Sequence, residues 1–177
     1  TIRPGRVQAV RLVEPFFWRP LGWCRLEVDL AGRQKAEGEG RAQRGQLRAL
    51  LPVGDHELAM SLVDRVIRDR PQELVRPPRR ARWKSPLRYR KLAYGRTDTC
   101  VVTRSGRFRR VTVWVPLEKV QSLRHVQGPL QRRLGLASVH VDVAGRSLHA
   151  TARDRDAVEA RTEIDTLAEL AQRARAA

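Results

Sequence analysis

The feature that most constrains this 177-residue chain is an internal repeat. Residues 2–32 (IRPGRVQAVRLVEPFFWRPLGWCRLEVDLAG) align without a gap on residues 115–145 (VPLEKVQSLRHVQGPLQRRLGLASVHVDVAG), at a constant offset of 113. Eleven of the 31 positions are identical, among them Val7/Val120, Gln8/Gln121, Arg11/Arg124, Arg19/Arg132, Gly22/Gly135 and Asp29/Asp142. Whatever fold one segment takes, the other is expected to take too, so the repeat is read before any motif.

Both copies follow one local pattern. An alternating stretch carries Val7, Val10 and Val13 in the first copy and Val120, Leu123 and Val126 in the second, and period two marks a half-buried strand. Gly128-Pro129 then opens a turn, Leu130 and Leu134 stand one helical turn apart, Gly135 stops that turn, and residues 137–143 form the next strand. An amphipathic helix closes each copy. Asp55 caps the first, with Leu58, Ala59, Leu62, Val63, Val66 and Ile67 on its apolar face, and Asp154 or Asp156 caps the second, in which Ala157, Ala160, Ile164, Leu167, Ala168 and Ala171 recur at threes and fours. Upstream of the second copy, residues 94–115 read as strands joined by a hairpin at Arg104-Ser105-Gly106-Arg107. The first copy has no such residues before it. The expected organisation is therefore the C-terminal part of one unit (1–70), a Pro-containing linker (71–81) and a complete unit (82–177). The fold class is mainly β with helices, that is α+β. The incomplete first unit leaves a strand edge that must be covered by the second unit, paired with another molecule, or left poorly ordered. Residues 33–46 (RQKAEGEGRAQRGQ) read as a flexible loop between two strands.

Charge sets the class of partner. With 36 Lys+Arg against 19 Asp+Glu the net charge is +17, which points to an acidic surface, either anionic membrane or nucleic acid. Residues 76–110 concentrate it, holding 13 basic residues and a single acid, Asp98. No apolar stretch approaches the ~20 residues that cross a bilayer. Two cysteines cannot build a disulfide framework, and four scattered histidines have no metal-ligand spacing. The chain opens at Thr1 without a targeting pattern, which reads as a piece of something longer.

Several segments carry a family resemblance: Tyr94-Gly95-Arg96-Thr97-Asp98, Arg104-Ser105-Gly106-Arg107-Phe108-Arg109-Arg110, Val115-Pro116-Leu117-Glu118-Lys119-Val120-Gln121-Ser122, and QGPLQRRLGLA over residues 127–137. Together they resemble the bacterial pleckstrin-homology-like (PH-like) domain of polytopic membrane proteins, the YdbT-like group. The resemblance covers the second copy and, more weakly, residues 2–32. It implies a small PH-like β-barrel or sandwich capped by a C-terminal α-helix, with a partial copy of the same unit before it. It also implies a parent protein in the cell membrane, with this region on the cytoplasmic side.

No nucleophile, P-loop or acid/base cluster stands out, so no catalytic residue, metal or cofactor is expected, and the chain reads as a non-enzyme. The candidate anion- or lipid-binding residues are Arg88, Arg90 and Lys91, read with Arg79, Arg80, Arg82 and Lys84 as linker and first strand, and Arg104, Arg107, Arg109 and Arg110 around the hairpin, since guanidinium groups match phosphate oxygens. A solvated basic face without a ligand is the plain alternative. Arg19 and Arg132, Gln8 and Gln121, Asp29 and Asp142, and Gly22 and Gly135 are equivalent in the two copies and read as structural. Phe16, Phe17, Trp18 and Trp23 either fill a core, pack on the second unit, or dip into lipid. The expected function is a binding and assembly module whose partners are other domains of the same or a related membrane protein, or anionic phospholipid head groups. A homo-oligomer formed through the open sheet edge is a further expectation, and nucleic-acid binding is the runner-up function.

Overall fold

A computed structural model describes residues 7–30, 48–67, 69–144 and 148–176. The loop expected at 33–46 lies outside the described residues. The chain runs β1 (Val7–Pro15), a 3-10 turn (Phe16–Leu21), β2 (Trp23–Leu30), β3 (Arg48–Asp55), α1 (His56–Val66), α2 (Ala81–Lys84), a second 3-10 turn (Tyr89–Lys91), β4 (Ala93–Arg96), β5 (Cys100–Ser105) and β6 (Arg109–Pro116). It continues through a third 3-10 turn (Leu117–Lys119), β7 (Val120–Val126), α3 (Pro129–Arg133), β8 (Leu136–Val143), β9 (His149–Asp156) and α4 (Ala157–Ala176). The basic residues expected in linker and first strand instead occupy α2 and the turns up to Lys91, and the first strand starts at Ala93.

The two aligned segments pair their strands alike. In β1/β2, Val10 faces Val28, Arg11 faces Glu27 and Val13 faces Arg25; in β7/β8, Leu123 faces Val141, Arg124 faces His140 and Val126 faces Ser138, each pair displaced by 113. Even the register shift recurs, between Val7 and Ala9 and again between Val120 and Ser122. Gly22 and Gly135 both hold positive φ, 69° and 61°, where a side chain is disfavoured. Each offers its carbonyl at 2.9 Å to the first N–H of the closing helix, His56 in one case and Ala157 in the other. The expected caps form. Asp55 accepts from the Glu57 N–H at 3.2 Å, and Asp156, not Asp154, accepts from Val158 and Glu159 at 2.9 and 3.2 Å.

The sheets place the segments in different surroundings. A six-stranded antiparallel sheet has the order β3-β2-β1-β6-β5-β4, while β7-β8-β9 form a sheet of three. The β1 edge is covered within the chain: Val10 to Pro15 pair with Trp114 to Arg109 of β6. Because strand side chains alternate between faces, β5 and β6 feed two cores. Val101, Val113 and Val115 pack with β7–β9 and with Ala160, Leu167 and Ala171 of α4, whereas Cys100, Val102 and Trp114 join Val10, Leu12, Leu26, Ala59 and Val63 beneath α1. At about 1.5–3 kcal/mol for each large apolar side chain buried, both faces of β6 contribute to stability.

Candidate functional site: a basic cleft on the six-stranded sheet

The pleat that sends Val102 and Trp114 toward α1 sends the even-numbered residues beyond them the same way. Leu12 and Glu14 of β1, Val102 and Arg104 of β5, and Arg110, Thr112 and Trp114 of β6 floor a cleft of about 1180 Å³. One wall is α1, through His56, Met60 and Asp64; the other is built from residues 69–76 and 90–93, including Arg70, Arg76, Arg90 and Lys91. Arg19 and Trp23 stand at one end. Seven cationic side chains line the cleft against three carboxylates, Glu14, Asp64 and Asp69.

Two of those carboxylates are already engaged. Arg110 reaches Glu14 at 3.4 Å, and Arg70 binds Asp64 at 2.8 Å. Arg104 is half-buried on the floor, and its described polar contact is the Thr112 hydroxyl, 3.4 Å from Nε. Burial lowers its pKa, Arg110 lowers it further, and Glu14 offsets part of this. A guanidinium held among like charges with one long hydrogen bond suits an incoming anion.

The wall over residues 69–76 is held in place from the other side. Val75 exchanges backbone hydrogen bonds with Tyr94 at 2.7 and 2.9 Å. Arg155 of β9 donates to the carbonyls of Val75 and Arg76, lies 5.5 Å from the Tyr94 ring centre, and pairs with Glu159. Tyr94 in turn donates to Glu163 of α4 at 2.6 Å, and Arg96 meets the same carboxylate at 2.5 Å. Burial first, and the Glu163 bond second, push the Tyr94 phenol well above its ordinary range, so it stays a donor. The close approach depends on Gly95, where an added Cβ would stand 2.8 Å from the Glu73 carbonyl.

Of the seven candidates from sequence, Arg90, Lys91, Arg104 and Arg110 meet in the cleft. Arg88 borders a smaller hollow of about 220 Å³ with Lys84, Gln131 and Asp154. There Asp154 is buried at φ 56° and accepts from Lys84 at 2.5 Å and from Gln131 at 2.7 Å. Arg107 covers the Phe108 ring at 4.9 Å on the hairpin tip, and Arg109 points to the opposite face, where its charge acts on Arg11. Strand parity separates Arg109 from Arg110. Sequence reasoning missed Arg70, Arg76 and the α1 wall, because no local pattern signals which loop returns over a sheet.

The repeat-equivalent residues diverge in surroundings. Arg19 donates to the carbonyls of Glu14 and Arg107, both at 3.3 Å, while Arg132 is exposed. Gln8 and Asp29 are buried, Gln121 is exposed, and Asp142 accepts from Arg124 and Ser122 at 2.8 and 2.9 Å. The aromatic cluster is largely at the surface. Phe16 and Phe17 stack edge to face and, like Trp23, are exposed, while Trp18 is half-buried.

The strands-then-helix unit that braces the cleft coincides with a known family: residues 77–173 match the family model for the bacterial PH domain. This chain belongs to the bacterial PH domain family. No curated protein and no solved structure matches it. The cleft lies partly outside the matched bacterial PH domain, because β1 and α1 come from residues 7–66. Among the described residues, no group of His, Cys, Asp and Glu could hold a metal ion, and no helix is long and apolar enough to cross a membrane.

Proposed function

We propose that the chain is a PH-like binding and assembly module, without catalytic activity, whose basic cleft holds a phosphate-bearing head group. Its setting in this reading is the cytoplasmic face of a membrane protein of the YdbT-like kind, with residues 1–70 as the C-terminal part of a second PH-like unit and 71–81 as linker. The matching registers of the two aligned segments support the duplication. One observation carries the ligand class: Arg104, Arg90, Lys91 and Arg76 converge on one cleft, and no ion pair to any of them is found among the described residues. Basic groups near an anionic leaflet gain about 1 kcal/mol each. Exposed Trp83, between Arg82 and Lys84, favours nucleic acid as the second reading, since bases stack on such rings.

Flotation with phosphatidylcholine vesicles, alone and mixed with phosphatidylglycerol, beside a duplex DNA arm at physiological salt, separates these. Recovery on the anionic vesicles only is expected, with the Arg90→Ala/Lys91→Ala double variant binding them about thirtyfold more weakly, in line with ~1 kcal/mol per basic group. DNA binding without vesicle binding would move the assignment to nucleic acid. Equal recovery on neutral vesicles, or none on either, overturns the head-group reading.

A further inference from the structure

β7 is an edge strand: it pairs with β8, and no other described strand lies on its far side. Its counterpart β1 is paired on both sides, by β2 and, over residues 10–15, by β6. A shift of 113 carries that paired stretch onto residues 123–128. The consequence is visible in burial, since Val13 is 1% exposed and Val126 is 43% exposed. Val10 is buried where Leu123 is half-exposed, and Leu130 of α3 stands exposed close by in sequence. Unpaired backbone beside exposed apolar side chains is a template for an added strand.

We infer that the free edge of β7 over residues 123–126 is a docking site for one antiparallel β-strand of the β6 kind, supplied by a further PH-like unit. The occupant follows from the shared local structure: the two segments have the same register and the same bulge, so the kind of strand that completes one completes the other. This rests on the duplication and is independent of the anion cleft. Charge sharpens the partner. Against β1, Arg110 of β6 finds Glu14 at 3.4 Å. The equivalent of Glu14 is Gln127, whose amide already donates to the Leu136 carbonyl at 2.8 Å, and the equivalent of Glu27 is His140. Arg124 and His125 are exposed on the edge. The docking strand therefore carries neutral or acidic residues where β6 has Arg109 and Arg110. The same basic rim, on a chain of net charge +17, opposes pairing of two β7 edges from identical copies.

The test titrates the 15N-labelled chain with a synthetic peptide of residues 105–117 carrying Arg109→Glu and Arg110→Glu. The unaltered and scrambled peptides serve as controls. At saturation, the outward-facing amides within 123–126 are expected to exchange about tenfold more slowly, the unaltered peptide acting only at higher concentration. Neighbouring N–H groups of an edge strand alternate between the sheet and the outside, so Arg124→Pro and His125→Pro divide the two roles. The variant whose lost N–H faced outward is expected to keep its melting temperature and lose peptide protection. Absence of protection in the unmodified chain, protection of the β3 or β4 edges instead, undiminished protection in the folded proline variant, or peptide-free dimerisation through β7 in sedimentation would each overturn the inference.

Discussion

Replacing Arg104 by methionine distinguishes a ligand-binding arginine from a structural one, because the two make opposite stability predictions. A buried arginine that belongs to an ion pair costs about 3–5 kcal/mol when removed, since its partner carboxylate is left buried and alone. Arg104 leaves no such partner: Glu14 keeps Arg110 at 3.4 Å, and only the 3.4 Å bond that Arg104 donates to the Thr112 hydroxyl is lost. Losing that bond costs about 1 kcal/mol, while relief of desolvation and of repulsion by Arg110 returns a similar amount. Arg104→Met is therefore expected to fall within about 1 kcal/mol of the parent in urea denaturation, with an unchanged m-value. Anion linkage gives the second readout. Inorganic pyrophosphate at ~100 times its dissociation constant stabilises the parent by about 2.7 kcal/mol, or roughly 5–10 °C for a chain of this size. The variant, at the same pyrophosphate concentration, is expected to lose most of that rise. A loss of 3 kcal/mol or more without ligand, or an undiminished pyrophosphate shift, would refute the assignment of Arg104 to ligand binding.

Three further outcomes follow from the fold. Asp156→Ala is expected to cost about 1–2 kcal/mol in urea, since it removes the α4 cap and the Arg80 pair, and Asp156→Asn about half as much. The N–H bonds from Glu159 and Val158 hold the Asp156 pKa low, so its charged-state stabilisation is present above the unfolded carboxylate range and fades as pH falls through the folded value; Asp156→Asn should lack this acid-side slope. Gly106→Ala, at φ 100° with the new Cβ 1.8 Å from the Arg109 carbonyl, should lose at least about 2 kcal/mol by thermal melting, and an unchanged melt contradicts the turn geometry. Cys24 and Cys100, whose thiols burial pushes up to about 11 and about 12, should resist iodoacetamide at pH ~8 in the native chain and react in urea.

Much of the local structure was legible from residue order. The strands over residues 7–13 and 120–126, the glycines at 22 and 135, the cap at Asp55 and the Gly106 hairpin all appear where expected, because each reports an interaction within a few residues, whereas the expected half-buried alternation does not, β1 being buried on both faces and β7 largely exposed. The helical form of residues 81–84 and 89–91 was not, since a run of arginines has no apolar periodicity to read. The cleft was half legible. Arg104 and Arg110 share a face by the period of two, but Arg70, Arg76 and α1 reach it only through the Val75–Tyr94 pairing and the Arg155 contacts, made across 19 and about 80 residues.

By itself the amino-acid order determined the two matching strand–turn–strand segments, their closing helices and the excess of positive charge, since backbone pleat, turn conformation and capping are settled between near neighbours. Only the tertiary structure decided that β6 lies against β1 and not against β7. Sheet partnership is a contest between distant strands for the same backbone groups, and its outcome makes Val13 core and Val126 surface from nearly the same local sequence.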